Sequence, residues 1–461
     1  MSKAKPQIKW LILFVLFMAA ALCFTVYRDI WLSGGAAPAA SVDDGGVQPE
    51  TPDAGGDESG GADDAGDGGE THPAPVPDVY YSVLPRAAIM LSDGSLYQHA
   101  GGTGSETLKA VHPRGDGKTA VVLETSSNGY DFTAAAPSVG AALFSDDALD
   151  AVLTLDAGES YLDSAMGGFG LFIAAKGEGY IKHYAISHDL GSVTKLTLGE
   201  GKDAAYLPGG GRSDGAYLTV LSGNSLSLRY VSADGDAERL GEYALSGAES
   251  IKSVYEYANG AAVFTNGTAR ASVTVFNFTG GATVSKSFNN TEFLQIMTLP
   301  IKIDSFKFGF VFLSRSEGKL KLMCVSETLS LVHDEILNLT SARLSRLTNE
   351  KGFLLIGGGS AAYYCEHLER NFILNASAAD GDIADECDYA GGKLFAVRKE
   401  YGITLILYSG GTFTAVKTVD GVRNVKIYGG ANRLLLFGEV YGRIYENFGD
   451  GDVFYMGIGL N

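Results

Sequence analysis

The residues that could do chemistry are few and scattered. Four cysteines occur in 461 residues, at Cys23, Cys324, Cys365 and Cys387. None belongs to a C-x-x-C pair, so neither a zinc knuckle nor a dithiol redox motif is present. Cys23 falls inside an apolar run and reads as a small apolar residue. The other three are an odd number and allow at most one bridge, for which Cys365–Cys387 is the pair to weigh against three small buried thiols. The histidines beyond residue 79 are His99, His112, His183, His188, His333 and His367. Only His183 and His188 are close, and a spacing of five along a strand turns them to opposite faces, which argues against a metal pair. H-E-x-x-H, G-x-S-x-G and Walker-type sequences are absent. Gly209-Gly210-Gly211 and Gly357-Gly358-Gly359 have no lysine after them and read as turns, not phosphate cradles. Asp-Gly-Asp recurs at Asp234–Asp236, Asp380–Asp382 and Asp450–Asp452. Asp-Gly favours a hairpin turn, and one such pair offers too few oxygens for calcium. Asn266-Gly-Thr268 and Asn338-Leu-Thr340 are glycosylation sequons by pattern only. No catalytic residue, cofactor-binding residue or metal ligand is assigned, and no cofactor is expected.

Composition says what kind of element must carry these residues. Glycine numbers 61 and charged residues are 19%, while Tyr and Phe supply 23 each against two Trp. Many Gly with many Tyr, Phe and Val favour short strands and tight turns over helical bundles. The net charge is −19, and phosphate binding needs Lys and Arg, so no nucleic-acid partner is expected.

The charge is not spread evenly. Lys3, Lys5 and Lys9 precede an apolar run from Trp10 to Tyr27 that only Thr25 interrupts. As a helix those residues span about 27 Å, close to the roughly 30 Å hydrocarbon core. The lysines before the run, against a balanced Arg28–Asp29 after it, predict a cytoplasmic N-terminus (residues 1–9) and a single-pass signal anchor at 10–27 in the cell membrane. An uncleaved anchor competes with a cleaved signal peptide, whose A-x-A-like site would be Ala37-Pro38-Ala39, and with a lipoprotein, whose pattern Leu22 before Cys23 spoils. Residues 33–78 hold no Leu, Ile, Met, Phe, Tyr or Trp and carry eleven acidic residues without one Lys or Arg. Such a tract cannot bury enough apolar surface to offset its ordering entropy, so it is predicted to be a disordered acidic spacer. It would reach roughly 37 Å r.m.s. as a flexible coil. From Val79 onward the net charge is another −11, over 383 residues.

In that remainder one pattern recurs: a small or turn residue, a short apolar strand, then a polar turn. It begins at Lys118, Gly168, Gly215, Gly260, Phe308, Gly352, Gly392 and Asn432, at separations of 50, 47, 45, 48, 44, 40 and 40. Within one period the stretches from Ile251, Ala261, Ser272 and Ala282 read as four successive strands, and the unit from Asp385 to Val419 repeats the scheme. Alternation of apolar and polar residues marks half-buried strands, and the nearly all-apolar second strand suits burial on both faces. Leu331–Thr348 is the least strand-like stretch, and its element type is left open. Arg86–Gly101 reads as a hairpin turned at Asp93-Gly94, and the strand from Asp452 carries order almost to Asn461.

Four strands in every 40 to 50 residues resembles the β-propeller superfamily in general, over residues 80–461. The Y-x-x-G-G unit is similar to the Gly-rich repeats of many secreted bacterial propellers. There is no Trp after Trp31 and no WD dipeptide. That departs from WD40 repeats and from tryptophan-docked quinoprotein blades. The kelch Trp and the sialidase-type aspartate box are missing too. The expectation is an all-β propeller of eight four-stranded blades, or seven if residues 80–101 share a blade with the C-terminus. Ring, spacer and anchor together suggest a binding or scaffold module outside the cytoplasmic membrane, with a protein or cell-envelope partner and no enzymatic activity. An envelope assembly factor is the main alternative. A propeller lyase or glycosidase with its site at the central funnel is the lesser one, and it would cluster titratable groups there.

Overall fold

The computed structural model describes residues 86–459, apart from short stretches at 135, 209–213, 246, 258, 280–282, 300–308, 348–351, 431–432, 442–443, 446 and 449–450. The proposed anchor (10–27) and spacer (33–78) lie outside the described residues. Among the described residues no helix is long and apolar enough to cross a membrane.

These residues form an eight-bladed β-propeller of antiparallel sheets, six of them four-stranded, while the sheets of blades 1 and 8 each gain a two-residue fifth strand, Arg86–Ala87 and Ile89–Met90. Blades 1 to 7 occupy residues 106–157, 160–200, 203–244, 248–289, 291–337, 343–375 and 383–420. Each of the eight apolar segments recognised in the sequence is the second strand of a blade, from Thr119–Thr125 in blade 1 to Leu434–Val440 in blade 8. Leu331–Thr348, left open above, contributes the strands Leu331–Leu337 and Arg343–Arg346. The last repeat supplies only three strands, Val422–Gly429, Leu434–Val440 and Val453–Ile458; its fourth is Leu96–Ala100 from the start of the ring. Sharing a blade between the two ends therefore coexists with eight blades, because the first complete blade starts only at Glu106. The predicted hairpin is present: Ile89–Met90 pairs with Leu96–Ala100, with Gly94 at φ +78° in the turn.

The first strands of neighbouring blades lie against one another, so they line the axis and the fourth strands form the rim. Eight apolar clusters fill the eight spaces between blades. Tyr and Phe do the filling that tryptophan does elsewhere; Tyr184, Tyr206, Tyr364, Phe264 and Phe310 are among the largest fully buried side chains. The repeat glycine has a steric cause. A Cβ on Gly260 would lie 1.8 Å from the Phe276 carbonyl oxygen of the adjoining third strand, and one on Gly352 would lie 2.2 Å from that of Tyr364.

A polar clasp crosses every junction near the axis. Glu124 accepts from Tyr161 N (2.8 Å), Asp163 from Tyr206 N (2.7 Å), and Asp203 from Ile251 N (2.6 Å). Asn266 and Gln295 each bond both backbone groups of a residue in the following blade, Phe293 and Leu344. Arg343 donates to Ile383 O (2.9 Å), Asp385 accepts from Ile427 N (2.9 Å), and Glu439 accepts from Leu108 N (2.9 Å). Five of the captured residues, Leu108, Tyr161, Ile251, Phe293 and Ile383, sit at register shifts of their first strands. A bulge leaves a backbone group without a ladder partner, and the preceding blade supplies one.

Candidate functional site

The clasps decide what the axis can do chemically. Asp163 has its carboxyl pushed up to about 6, chiefly by burial, and Asp203 and Glu386 are raised for the same reason. Perturbed carboxyls often mark active sites, but structural networks perturb them too. Here each belongs to a different junction and is engaged with a neighbouring blade, so they do not converge on one substrate position.

The cysteines and histidines behave as packing residues. Cys324, Cys365 and Cys387 are all free, which removes the Cys365–Cys387 bridge. Burial pushes the Cys324 and Cys387 thiols up to about 12, far from thiolate chemistry. Buried His183 meets Tyr206 Oη through Nδ1 (2.7 Å), while His188 lies exposed on Gly168 O (2.9 Å), so the two do not form a pair. His112 Nε2 contacts Ser164 Oγ across the first junction (2.7 Å). Asn266, a sequon residue, spends its amide on the clasp to Phe293. Among the described residues no group of three or more His, Cys, Asp or Glu is placed to hold a metal ion.

Strand alternation gives the ring two faces. One carries the linkers between blades and the turns between second and third strands; the other carries the remaining turns. Two polar features lie on the linker face. The first is the seam where blade 8 meets blade 1. His99 Nδ1 lies 2.7 Å from Asp452 Oδ2, which also accepts from Phe448 N (2.9 Å). Arg86 donates to Asp131 Oδ2 (2.7 Å) and to His99 O (2.5 Å), and its guanidinium stacks 4.7 Å from the Phe448 ring. Asp131 Oδ2 also accepts from Gly101 N (3.0 Å). Glu106 Oε1 accepts from Thr125 and Ser127, while Glu106 Oε2 and Asp452 Oδ1 are buried without hydrogen-bond partners. Burial, with the Asp452 charge adding to it, pushes the Glu106 carboxyl up to about 7. A small cavity of about 90 Å³ reaches Arg86 and His99 but is not lined by Glu106 or Asp452. Among the described residues the seam is a polar lock whose two carboxyl groups, Glu106 and Asp452, are fully buried.

The second feature is a cleft of about 650 Å³ at blades 5, 6 and 7. Its walls are the linkers around Ser341 and Asp380–Ile383, the turn at Gly357-Gly358, and Gln295 and Arg343 of two first strands. Gly358 and Gly359 adopt φ of +58° and +72°, as a tight hairpin turn requires. Asp380 Oδ1 accepts from Gly359 N (3.1 Å). The glycine run is a hairpin turn as expected, whereas Asp380–Asp382 lies not in a hairpin but in the linker between blades 6 and 7, and the structure places the two, 21 residues apart in chain, side by side. Nothing local in either motif signals that juxtaposition. Of the other two Asp-Gly-Asp sequences, Asp234–Asp236 forms a hairpin turn on the opposite face, and Asp452 of the third turns inward to His99.

No family model matches the chain, and no curated protein matches it. Solved structures similar to it are β-propellers of distant sequence. The Dos1 propeller shares 12% identity over 78% of this chain and 94% of its own, with a TM-score of 0.47. The dihydro-heme d1 dehydrogenase NirN in complex with DHE shares 12% over 72% of each chain, also at 0.47. The β-propeller domain of Cps50 (Swd1) from Myceliophteria thermophila shares 12% over 65% of this chain and 96% of its own, at 0.38. These likenesses concern fold and carry no argument about activity.

Proposed function

We propose that this protein is a membrane-tethered binding or scaffold module. Residues 10–27 anchor it with the N-terminus in the cytoplasm, residues 33–78 act as an acidic spacer, and the ring presents its linker face to a protein or cell-envelope partner outside the membrane. One observation carries this reading. The carboxylates near the axis, where an enzyme of this architecture would gather its catalytic groups, are distributed one junction at a time and engaged in holding neighbouring blades. The linker face meanwhile offers an open cleft, and rigid scaffolds commonly carry function on such loops. The test is capture from solubilised envelope membranes with the full chain as bait. Retention of a partner after the spacer alone has failed to capture it supports the reading. A ring that captures nothing and instead turns over glycans overturns it. The anchor is tested separately: the chain should resist alkaline extraction from membranes, and a Trp10–Tyr27 deletion should be released.

A further inference from the structure

We infer that the cleft between blades 5 and 7 is a receptor for an arginine side chain presented by the partner; this rests on the binding-module reading above. The cleft's volume of about 650 Å³ lies within the roughly 300–1,000 Å³ range of ligand pockets. Leu294, Ala342, Ile356 and Ile383 give it apolar walls that suit the methylene stem of a long side chain. Its polar end is acceptor-rich. Asp380 is exposed and uses Oδ1 for Gly359 N, with no hydrogen bond to Oδ2 among the described residues. Asp382, two residues on, is exposed and held only by the exposed Arg398 (2.9 Å), an ion pair of small worth.

The cation already present does not reverse that balance. Arg343 donates to Ile383 O (2.9 Å) and lies 3.3 Å from Glu386, so its charge is already met. Two carboxylates at the rim, with a ring bearing −11 overall, favour a cation over an anion and steer it inward. A planar guanidinium, with several donors in a fixed fork, meets carboxylate acceptors better than a point-charge ammonium does. Gly357 and Gly358 leave the turn wall without side chains, and a methyl at Gly357 would come within 2.6 Å of Ser341 O.

The experiment uses full-length protein in detergent and a fluorescent acetyl-Gly-Arg-Arg-Gly peptide, with Lys and Glu counterparts. The Arg peptide should bind saturably, more tightly than the Lys peptide, and more weakly as salt is raised. Asp380→Asn with Asp382→Asn keeps the acceptor for Gly359 N and should weaken binding at least tenfold. Asp234→Asn with Asp236→Asn, on the opposite face, should leave it unchanged. Ser341→Lys, at the exposed rim, should also abolish binding and covers the case in which the double variant melts early. Equal binding by the double variant and Ser341→Lys, preference for the Glu peptide, or no saturable binding at millimolar peptide each overturns the inference. Capture from membranes separates the two readings: a partner held equally by wild type and double variant removes the cleft and leaves the module, whereas a peptide-binding ring that captures no partner removes the module.

Discussion

At the scale of single residues, the seam carboxyl Glu106 gives the clearest titration. Its folded pKa of about 7 stands above the ordinary 4.5. Between those values the folded state binds more protons than the unfolded one, so this group makes stability fall as pH rises through that window. His112 and His183, held near 4 by burial, act in the opposite sense: their stabilisation is present above about 6.5 and is lost as pH falls through 4. Wild-type melting alone therefore mixes the two. Glu106→Gln isolates one, since the amide oxygen still accepts from Thr125 and Ser127. The variant's melting temperature relative to wild type should be higher at pH 8 than at pH 5; a difference independent of pH would contradict the shift. None of this was legible in the sequence. Asp452 reads as a hairpin residue and His99 as a histidine with no close neighbour in sequence, and the contact joining them spans 353 residues. The paired Gly101-Gly102 was the one local sign of crowding, as a Cβ on Gly101 would meet Asp452 Oδ1 at 2.1 Å.

At the scale of elements, much was legible because each blade solves the same steric problem. The second strand is covered on both faces, so its central residues are apolar, and where a glycine leads it, as Gly260 does, that glycine lies under a carbonyl of the third strand. Gly260→Ala must displace the Phe276 carbonyl and should cost at least about 2 kcal/mol in a denaturant titration, well above the roughly 1 kcal/mol typical of point changes. The clasps escaped notice because Glu124, Asn266 and Gln295 share no residue type or motif; they share only a place beside the next blade's first strand. Gln295→Ala would leave Leu344 N and O unmatched near the axis, and each orphaned group costs about 1–3 kcal/mol. Gln295→Glu keeps one acceptor and should lose less at low pH than at high pH, because the new carboxylate would have to be buried beside the Leu344 carbonyl. Equal, small losses for both variants would show that water replaces the clasp.

At the scale of the whole molecule, the ring depends on the fourth strand of blade 8 coming from the start of the domain. Leu96–Ala100 pairs with Val453–Ile458, and the Arg86–Asp131 and His99–Asp452 contacts fasten the same segment to blades 1 and 8. This makes the segment that follows the spacer a closing element of the ring. Without it, the fully buried strand Val453–Ile458 would become a bare apolar edge, and such edges pair with other chains. Deletion of residues 86–101 should therefore yield soluble oligomers or aggregates on size exclusion. Restoring the segment as a separate peptide should return monomer. His99→Ala keeps the strand but leaves Asp452 buried with only the Phe448 amide. It should cost about 1–3 kcal/mol, as removing the hydrogen-bond partner of a buried group does, without changing oligomeric state. The contrast separates the two parts of the closure: strand pairing covers the edge of the last blade, while the polar lock sets how much free energy is needed to open it. A deletion variant that stays monomeric with an unchanged melting temperature would show that seven complete blades and three strands close the ring unaided.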